Sequence, residues 1–63
     1  MEPTSERLLN VSEAATFLKM SIAWMRAQVL NREIPFYKIG RCVRFSKPEL
    51  EAYIQDRRQE TRN

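Results

Sequence analysis

Side chains that could carry out catalysis or hold a metal ion are scarce in this chain. Its 63 residues include no histidine and a single cysteine, Cys42. These counts exclude a Cys/His zinc site, a disulfide within the chain, and the Ser/His or Cys/His pairs of nucleophilic enzymes. The only glycine is Gly40, which excludes a glycine-rich phosphate loop. We therefore expect no enzymatic activity, no metal and no cofactor, since the carboxylates also lack the paired spacing of acid–base catalysts: Glu13, Glu33, Glu49, Glu51 and Asp56.

The basic residues, in contrast, are clustered. The formal net charge is +3 at pH 7, and the segments 1–20 and 47–63 contribute −1 and 0 to it. Segment 21–46 carries +4, because Glu33 is its only carboxylate. Such clustering is typical of a protein that binds a polyanion, although a solvated basic surface gives the same pattern. The cations of the segment are Arg26, Arg32, Lys38, Arg41 and Arg44.

Size and composition fit one small globular domain. Hydrophobic residues make up 43% of the chain and charged residues 30%, a balance that supports a folded core. Residues 1–7 are predicted to form a flexible N-terminal arm, 8–58 the domain, and 59–63 a polar C-terminal tail. The longest apolar run, Ile22–Met25, is too short to enter a membrane, and a lone thiol fits a reducing compartment, so we expect a cytoplasmic protein.

Two short helices separated by a tight turn are predicted near the start of the domain. Asn10 and Glu13 have the spacing of a capping box, which starts a helix over about residues 11–18. Ser21 is a favoured N-terminal cap for a second helix from Ile22 to about Asn31. Two helices joined by about three residues form a helix-turn-helix unit. The first helix presents an apolar face with two small residues, which allows a close helix crossing: Val11, Ala14, Ala15 and Leu18.

The second helix is expected to have a core face and an open face. Met20, Met25 and Val29 are predicted to face the core, and Trp24 to be at least partly buried. Four residues of the first turns remain on the open face: Ile22, Ala23, Arg26 and Ala27.

The segment 36–45 changes to the two-residue period of β-strands, which predicts a hairpin. A two-residue loop, Gly40-Arg41, would pair Lys38 with Val43 and bring charge to the buried side. The pattern therefore favours a three-residue loop that also includes Cys42. The hairpin then has one apolar face, which packs on the helices, and one basic face. In this register Ile39 lies opposite Val43, Tyr37 opposite Phe45, and Lys38 opposite Arg44.

A third helix closes the domain. Ser46 and Glu49 have capping-box spacing, and the intervening Pro48 suits a first helical turn, so a helix is predicted over about 47–58. Its core face consists of Leu50, Tyr53 and Ile54. The fold class predicted is mainly α with a small two-stranded β wing, a winged helix-turn-helix in the order helix-turn-helix, hairpin, helix.

The sequence resembles the excisionase-type winged helix-turn-helix family, which is related to the DNA-binding heads of MerR-like regulators. The resemblance covers about residues 8–58 and is most specific from Ile34 to Arg41. Two positions depart from the family pattern. Lys19 replaces a usual turn glycine, which implies either backbone strain or a differently shaped helix end. Gln28 replaces an apolar residue, which implies either partial exposure or a polar contact. The matching residues are Leu8–Ala15, Met20-Ser21, Trp24, Ile34–Arg41, Val43–Phe45 and Leu50–Ile54.

The resemblance implies a set of DNA contacts. Ser21 would contact a phosphate, and the open face of the second helix, Ile22, Ala23, Arg26 and Ala27, would enter the major groove. Arg26 is the best candidate for reading a base, and the alternative for it is a solvated helix arginine. The wing would contact DNA through Lys38, Arg41 and Arg44, with Arg41 at the tip toward the minor groove or its phosphates. Alternatively, these charges only protect an edge strand from pairing. Residues assigned to the core are Trp24, Tyr37, Phe45 and Tyr53.

The resemblance also implies a partner, double-stranded DNA, and a function in a bacterium, phage or mobile element. One interpretation is a recombination directionality factor that bends attachment-site DNA beside an integrase; another is a small transcription regulator associated with the nucleoid. MerR-like dimers use a long coiled-coil helix after the DNA-binding head, and this chain does not supply one. We therefore expect a monomer in solution that associates cooperatively on DNA. The alternative from another class is a protein-interaction adaptor that binds an acidic partner.

Overall fold

The computed structural model describes residues 8–59. The predicted arm, 1–7, and residues 60–63 of the predicted tail lie outside the described residues. Three helices and a small three-stranded antiparallel sheet follow one another in the order compatible with a winged helix-turn-helix fold. The elements are β1 (Leu8–Leu9), α1 (Val11–Leu18), α2 (Ile22–Leu30), β2 (Tyr37–Ile39), β3 (Cys42–Ser46) and α3 (Lys47–Asp56).

Side-chain caps start the first two helices as predicted. At α1 the Glu13 N–H donates to Asn10 Oδ1 over 2.7 Å, and the Asn10 N–H donates to Glu13 Oε1 over 2.9 Å, which completes a capping box. At α2 the Trp24 N–H donates to Ser21 Oγ over 3.0 Å. Because these signals are local in the sequence, the start of each helix could be predicted from its cap residue.

The cap predicted for α3 is not formed. Ser46 makes no side-chain cap bond at this helix. The carboxylate of Glu49, which a capping box would turn back toward residue 46, instead accepts a hydrogen bond from the Tyr37 hydroxyl over 2.8 Å. The helix ends at Asp56, two residues before the predicted end at Arg58. A tertiary contact has therefore replaced a local one at the start of α3.

The turn between α1 and α2 contains a strained residue. Lys19 has φ 60° and ψ 40°, the left-handed conformation that glycine usually adopts after a helix. Its N–H donates to the Thr16 carbonyl over 3.1 Å, and the Met20 N–H donates to the Ala15 carbonyl over 2.9 Å, so the turn is a complete Schellman motif. Of the two alternatives for Lys19, the structure shows the left-handed backbone, which strains a residue with a Cβ atom.

A second Schellman motif ends α2. Arg32 has φ 55°, its N–H donates to the Val29 carbonyl over 3.0 Å, and the Glu33 N–H donates to the Gln28 carbonyl over 2.9 Å. Both motifs place a cationic residue in the left-handed position, next to the negative end of the helix dipole.

The sheet contains one strand more than the predicted wing. Its strand order is β1–β3–β2, with Leu8 opposite Ser46 and Leu9 opposite Phe45. Strand β1 has two residues, too few to show a period in the sequence. Its pairing makes β3 the central strand and leaves β2 at an edge.

The predicted hairpin register is wrong. The loop has two residues, Gly40-Arg41. Glycine at its first position, with φ 62°, provides the conformation that a type II′ turn requires there. Register follows the hydrophobic pattern only where one face of a strand is buried, and all three residues of β2 are exposed. The observed pairs are Tyr37 with Arg44, Lys38 with Val43, and Ile39 with Cys42.

One apolar core joins the helices to the sheet. Ala14 is fully buried and Ala15 nearly so, which allows the close approach predicted for α1. Four residues predicted to face the core are exposed to 41% or more, and each lies at a turn, on the edge strand or on the outer side of α3: Met20, Tyr37, Ile39 and Ile54. The core cluster consists of Ala14, Ala15, Met25, Ile34, Phe45, Leu50 and Tyr53, with Trp24 and Val29 packed against it.

Candidate nucleic-acid interface

The exposed face of α2 is the largest part of the candidate site. The helix packs mainly on α1, and Met25 is its fully buried residue. Met25 faces the core with Trp24 and Val29 packed beside it, so the side of the helix away from these three residues turns toward solvent. All four residues predicted for the open face are exposed. This open face consists of Ile22, Ala23, Arg26 and Ala27.

Leu30 extends the open face and was missed in the sequence. It is 82% exposed and lies four residues after Arg26, on the same side of the helix. The spacing from Ile22 through Arg26 to Leu30 was the available signal. Gln28 is half-buried on the other side, where it replaces the apolar residue of the family pattern.

Ser21 caps the N-terminal end of this face. Its Oγ accepts the Trp24 N–H, which leaves the hydroxyl hydrogen able to donate to an anion. The first turn of a helix also directs its N–H groups and the positive end of the helix dipole outward. This end of α2 therefore has the chemistry of a phosphate contact.

The wing does not present the single basic face that was predicted. Cross-strand partners share a face, so Lys38 lies on the side of Val43, whereas Arg44 lies on the opposite side with Tyr37. Lys38 is exposed; Arg44 is half-buried and donates from a guanidinium nitrogen to the Val43 carbonyl over 2.9 Å. Arg41 is exposed in the loop at the tip. The three cations thus occupy the two faces and the tip of the wing.

A hydrogen bond attaches the wing to α3. The Tyr37 hydroxyl donates to Glu49 over 2.8 Å, and this bond raises the pKa of Tyr37, as do the negative charge of Glu49 and, to a smaller extent, burial. Tyr37 was assigned to the core because it is aromatic. Its actual partner is twelve positions along the chain, beyond any local spacing rule.

Two other cations pack on aromatic rings. Lys47 lies 5.4 Å from the centre of the Phe17 ring, and Arg57 lies 3.9 Å from that of Tyr53. Arg57 also lies 4.0 Å from the Asp56 carboxylate, at the side of an open groove of about 380 Å³. Three carboxylates line this groove, so it would repel a phosphate backbone: Glu33, Glu49 and Asp56.

Residues 8–59 contain no group of three or more His, Cys, Asp or Glu side chains that could hold a metal ion. Cys42 is an exposed free thiol at the start of β3. None of the helices in the described part of the chain has the length and apolar composition needed to cross a membrane.

Comparison with known proteins gives a match at the level of a family. A family model described as a helix-turn-helix domain matches residues 8–58. The comparisons with curated proteins and with solved structures found no match. The family match includes all six elements of the fold. The chain therefore belongs to this helix-turn-helix domain family, which implies that it binds DNA.

Proposed function

We propose that the chain is an excisionase-type recombination directionality factor, which binds duplex DNA, bends it, and acts beside an integrase. The observation that carries the proposal is the uncovered open face of α2, with Arg26 at its centre and Ser21 at its capped end. An α-helix fits the major groove, and an arginine there reads guanine by two parallel hydrogen bonds. The N-terminal end of α2 would hold the phosphate that sets the position of the helix.

The wing supplies the second contact in this proposal. Arg41 is exposed at the tip and would enter the minor groove or contact its phosphates. Lys38 and Arg44 lie on opposite faces of the wing. When the tip of the wing enters a groove, each face of the wing lies beside one of the two DNA strands. The two cations can therefore neutralise phosphates of different DNA strands. Neutralisation on both sides of one groove favours its narrowing and a bend in the duplex.

The proposed protein is a monomer in solution that binds repeated sites cooperatively. A small transcription regulator would use the same residues and would differ in the arrangement of its sites. Selection from a random-sequence duplex pool, followed by sequencing, distinguishes the two functions. Repeated, closely spaced sites together with a measured bend support the directionality factor, whereas one isolated or inverted site without a bend favours the regulator.

Salt dependence tests whether DNA is the partner at all. Segment 21–46 carries +4 and, in this proposal, docks on the DNA phosphates with about four contacts. Log affinity should then fall with log salt at a slope of about −3.6, since each neutralised phosphate contributes about −0.9. Absence of both sequence enrichment and salt-dependent binding would contradict the proposal and favour an adaptor for an acidic protein.

Single variants assign the contacts. Arg41→Ala should weaken binding to all sequences alike and change the slope to about −2.7. Arg26→Ala should cost about 1–3 kcal/mol and relax the preference at one base position. Arg57→Ala is the charge-matched control, because it removes a cation from the acidic groove, and the slope should stay near the wild-type value. Equal effects of all three variants would contradict the proposed interface.

A further inference from the structure

We propose that Ile22 reads a thymine methyl group, so that the target site carries an essential thymine beneath the first turn of α2. This inference rests on the proposed function and identifies one base of its site. The observation behind it is that the exposed side of this turn carries no hydrogen-bonding side chain after Ser21. Ile22 is 43% exposed, and Ala23 beside it is also exposed.

The composition of α2 makes this exposure unusual. The nine residues include two polar ones, Arg26 and Gln28, so the helix is apolar on nearly all sides. A surface helix normally carries polar residues on the side away from the core. The core already takes Met25, with Trp24 and Val29 packed against it, and the apolar residues at 22 and 23 remain outside. An apolar group on a binding partner is the natural cover for them.

The surrounding charge identifies that partner as DNA. Arg26 lies one helical turn after Ile22 on the same side, and segment 21–46 carries +4. In the major groove the C5-methyl of thymine is the apolar group that a base edge presents. Isoleucine suits this contact, because its branched side chain has little rotamer freedom to lose on binding.

Thymine-to-uracil substitution in the selected site provides the test, since it removes one methyl group and leaves base pairing unchanged. With the wild-type protein, one thymine position should lose about fourfold in affinity when replaced by uracil, the effect expected from burial of one methyl group. The remaining thymine positions should change less. With Ile22→Ala, thymine and uracil at that position should bind equally.

Ile54→Ala is the matched control, because it removes an isoleucine of the same 43% exposure from the outer side of α3, outside the proposed interface. It should keep the fourfold preference for thymine. The inference is overturned if the wild type binds every uracil-substituted site as tightly as the thymine site, or if Ile22→Ala retains the preference. In both cases salt-dependent duplex binding persists and the proposed function stands. If the wild type binds no duplex DNA at all, the proposed function and this inference are refuted together.

Discussion

Lys19→Gly should stabilise the protein, although it removes a charged side chain from a helix end. Lys19 has φ 60°, and a side chain with a Cβ atom meets steric conflict in this conformation. The Schellman motif depends on backbone bonds alone, so glycine can form the same bonds to the Ala15 and Thr16 carbonyls. The substitution therefore removes strain from the turn that sets α2 against α1.

The expected gain is the difference between three effects. Relief of the left-handed conformation contributes about 1–2 kcal/mol. The greater freedom of glycine in the unfolded chain offsets about 0.4–1 kcal/mol of this stabilisation. Loss of the lysine charge at the C-terminal end of α1 costs about another 0.3 kcal/mol. The net gain in the free energy of unfolding is roughly 0.5 kcal/mol, which raises Tm by about 4 °C for a domain of this size.

Urea unfolding followed by circular dichroism measures the change, with Lys19→Ala as the control. Alanine removes the same charge but keeps the Cβ atom, so Lys19→Ala should be slightly less stable than the wild type. Arg32→Gly should act in the same direction as Lys19→Gly, because Arg32 has φ 55° in its own Schellman motif. The two glycine effects should add, since the motifs share no hydrogen-bond partner. If Lys19→Gly and Lys19→Ala change stability equally, strain at this turn is not the cause.

Two further predictions concern Ser21 and Tyr37. Ser21→Ala should lose the α2 cap at a cost of about 1 kcal/mol. Ser21→Asp should keep the cap, because its carboxylate can accept the Trp24 N–H. It should bind DNA more weakly, because the carboxylate repels a phosphate. Unchanged DNA affinity of Ser21→Asp would contradict a phosphate contact at this position. The pKa of Tyr37 is raised in the folded state, so its bond to Glu49 stabilises the protein below pH 10 and is lost as the pH rises through the raised pKa. Tyrosinate absorbance should show that Glu49→Gln lowers the pKa of Tyr37. Tyr37→Phe should remove part of the stability loss that the wild type shows at alkaline pH. If Tyr37→Phe and the wild type lose stability in parallel, the bond from Tyr37 to Glu49 is not the cause.

The helices were predictable because their signals are local. Asn10 with Glu13, and Ser21 alone, satisfy N–H groups within the next three residues, so residue type and spacing were sufficient. The open face of α2 followed from helical periodicity once its start was known. Its exposure is now established, and its contacts with DNA remain predictions.

The wing was harder to predict because burial does not determine its register. The alternation argument assumed an apolar face on β2, whereas this strand is exposed throughout, and the glycine turn sets the pairing instead. The same error placed Tyr37 opposite Phe45 on the apolar face and Lys38 opposite Arg44. Pairing of β1 with β3, and the bond from Tyr37 to Glu49, join segments far apart in the chain. Such contacts require the tertiary structure.

The apolar composition of α2 has two linked consequences. A helix with apolar residues on nearly all sides has no intrinsic buried face, so its neighbours decide its rotation. Ala14 and Ala15 form a shallow surface on α1, and Met25 is fully buried next to it. In this rotation of α2, Ile22 and Ala23 remain exposed. The exposed apolar face is thus a by-product of how α2 is held. Because Arg26 lies within that face, a partner that covers it must offer apolar groups and negative charge together, as the major groove of DNA does.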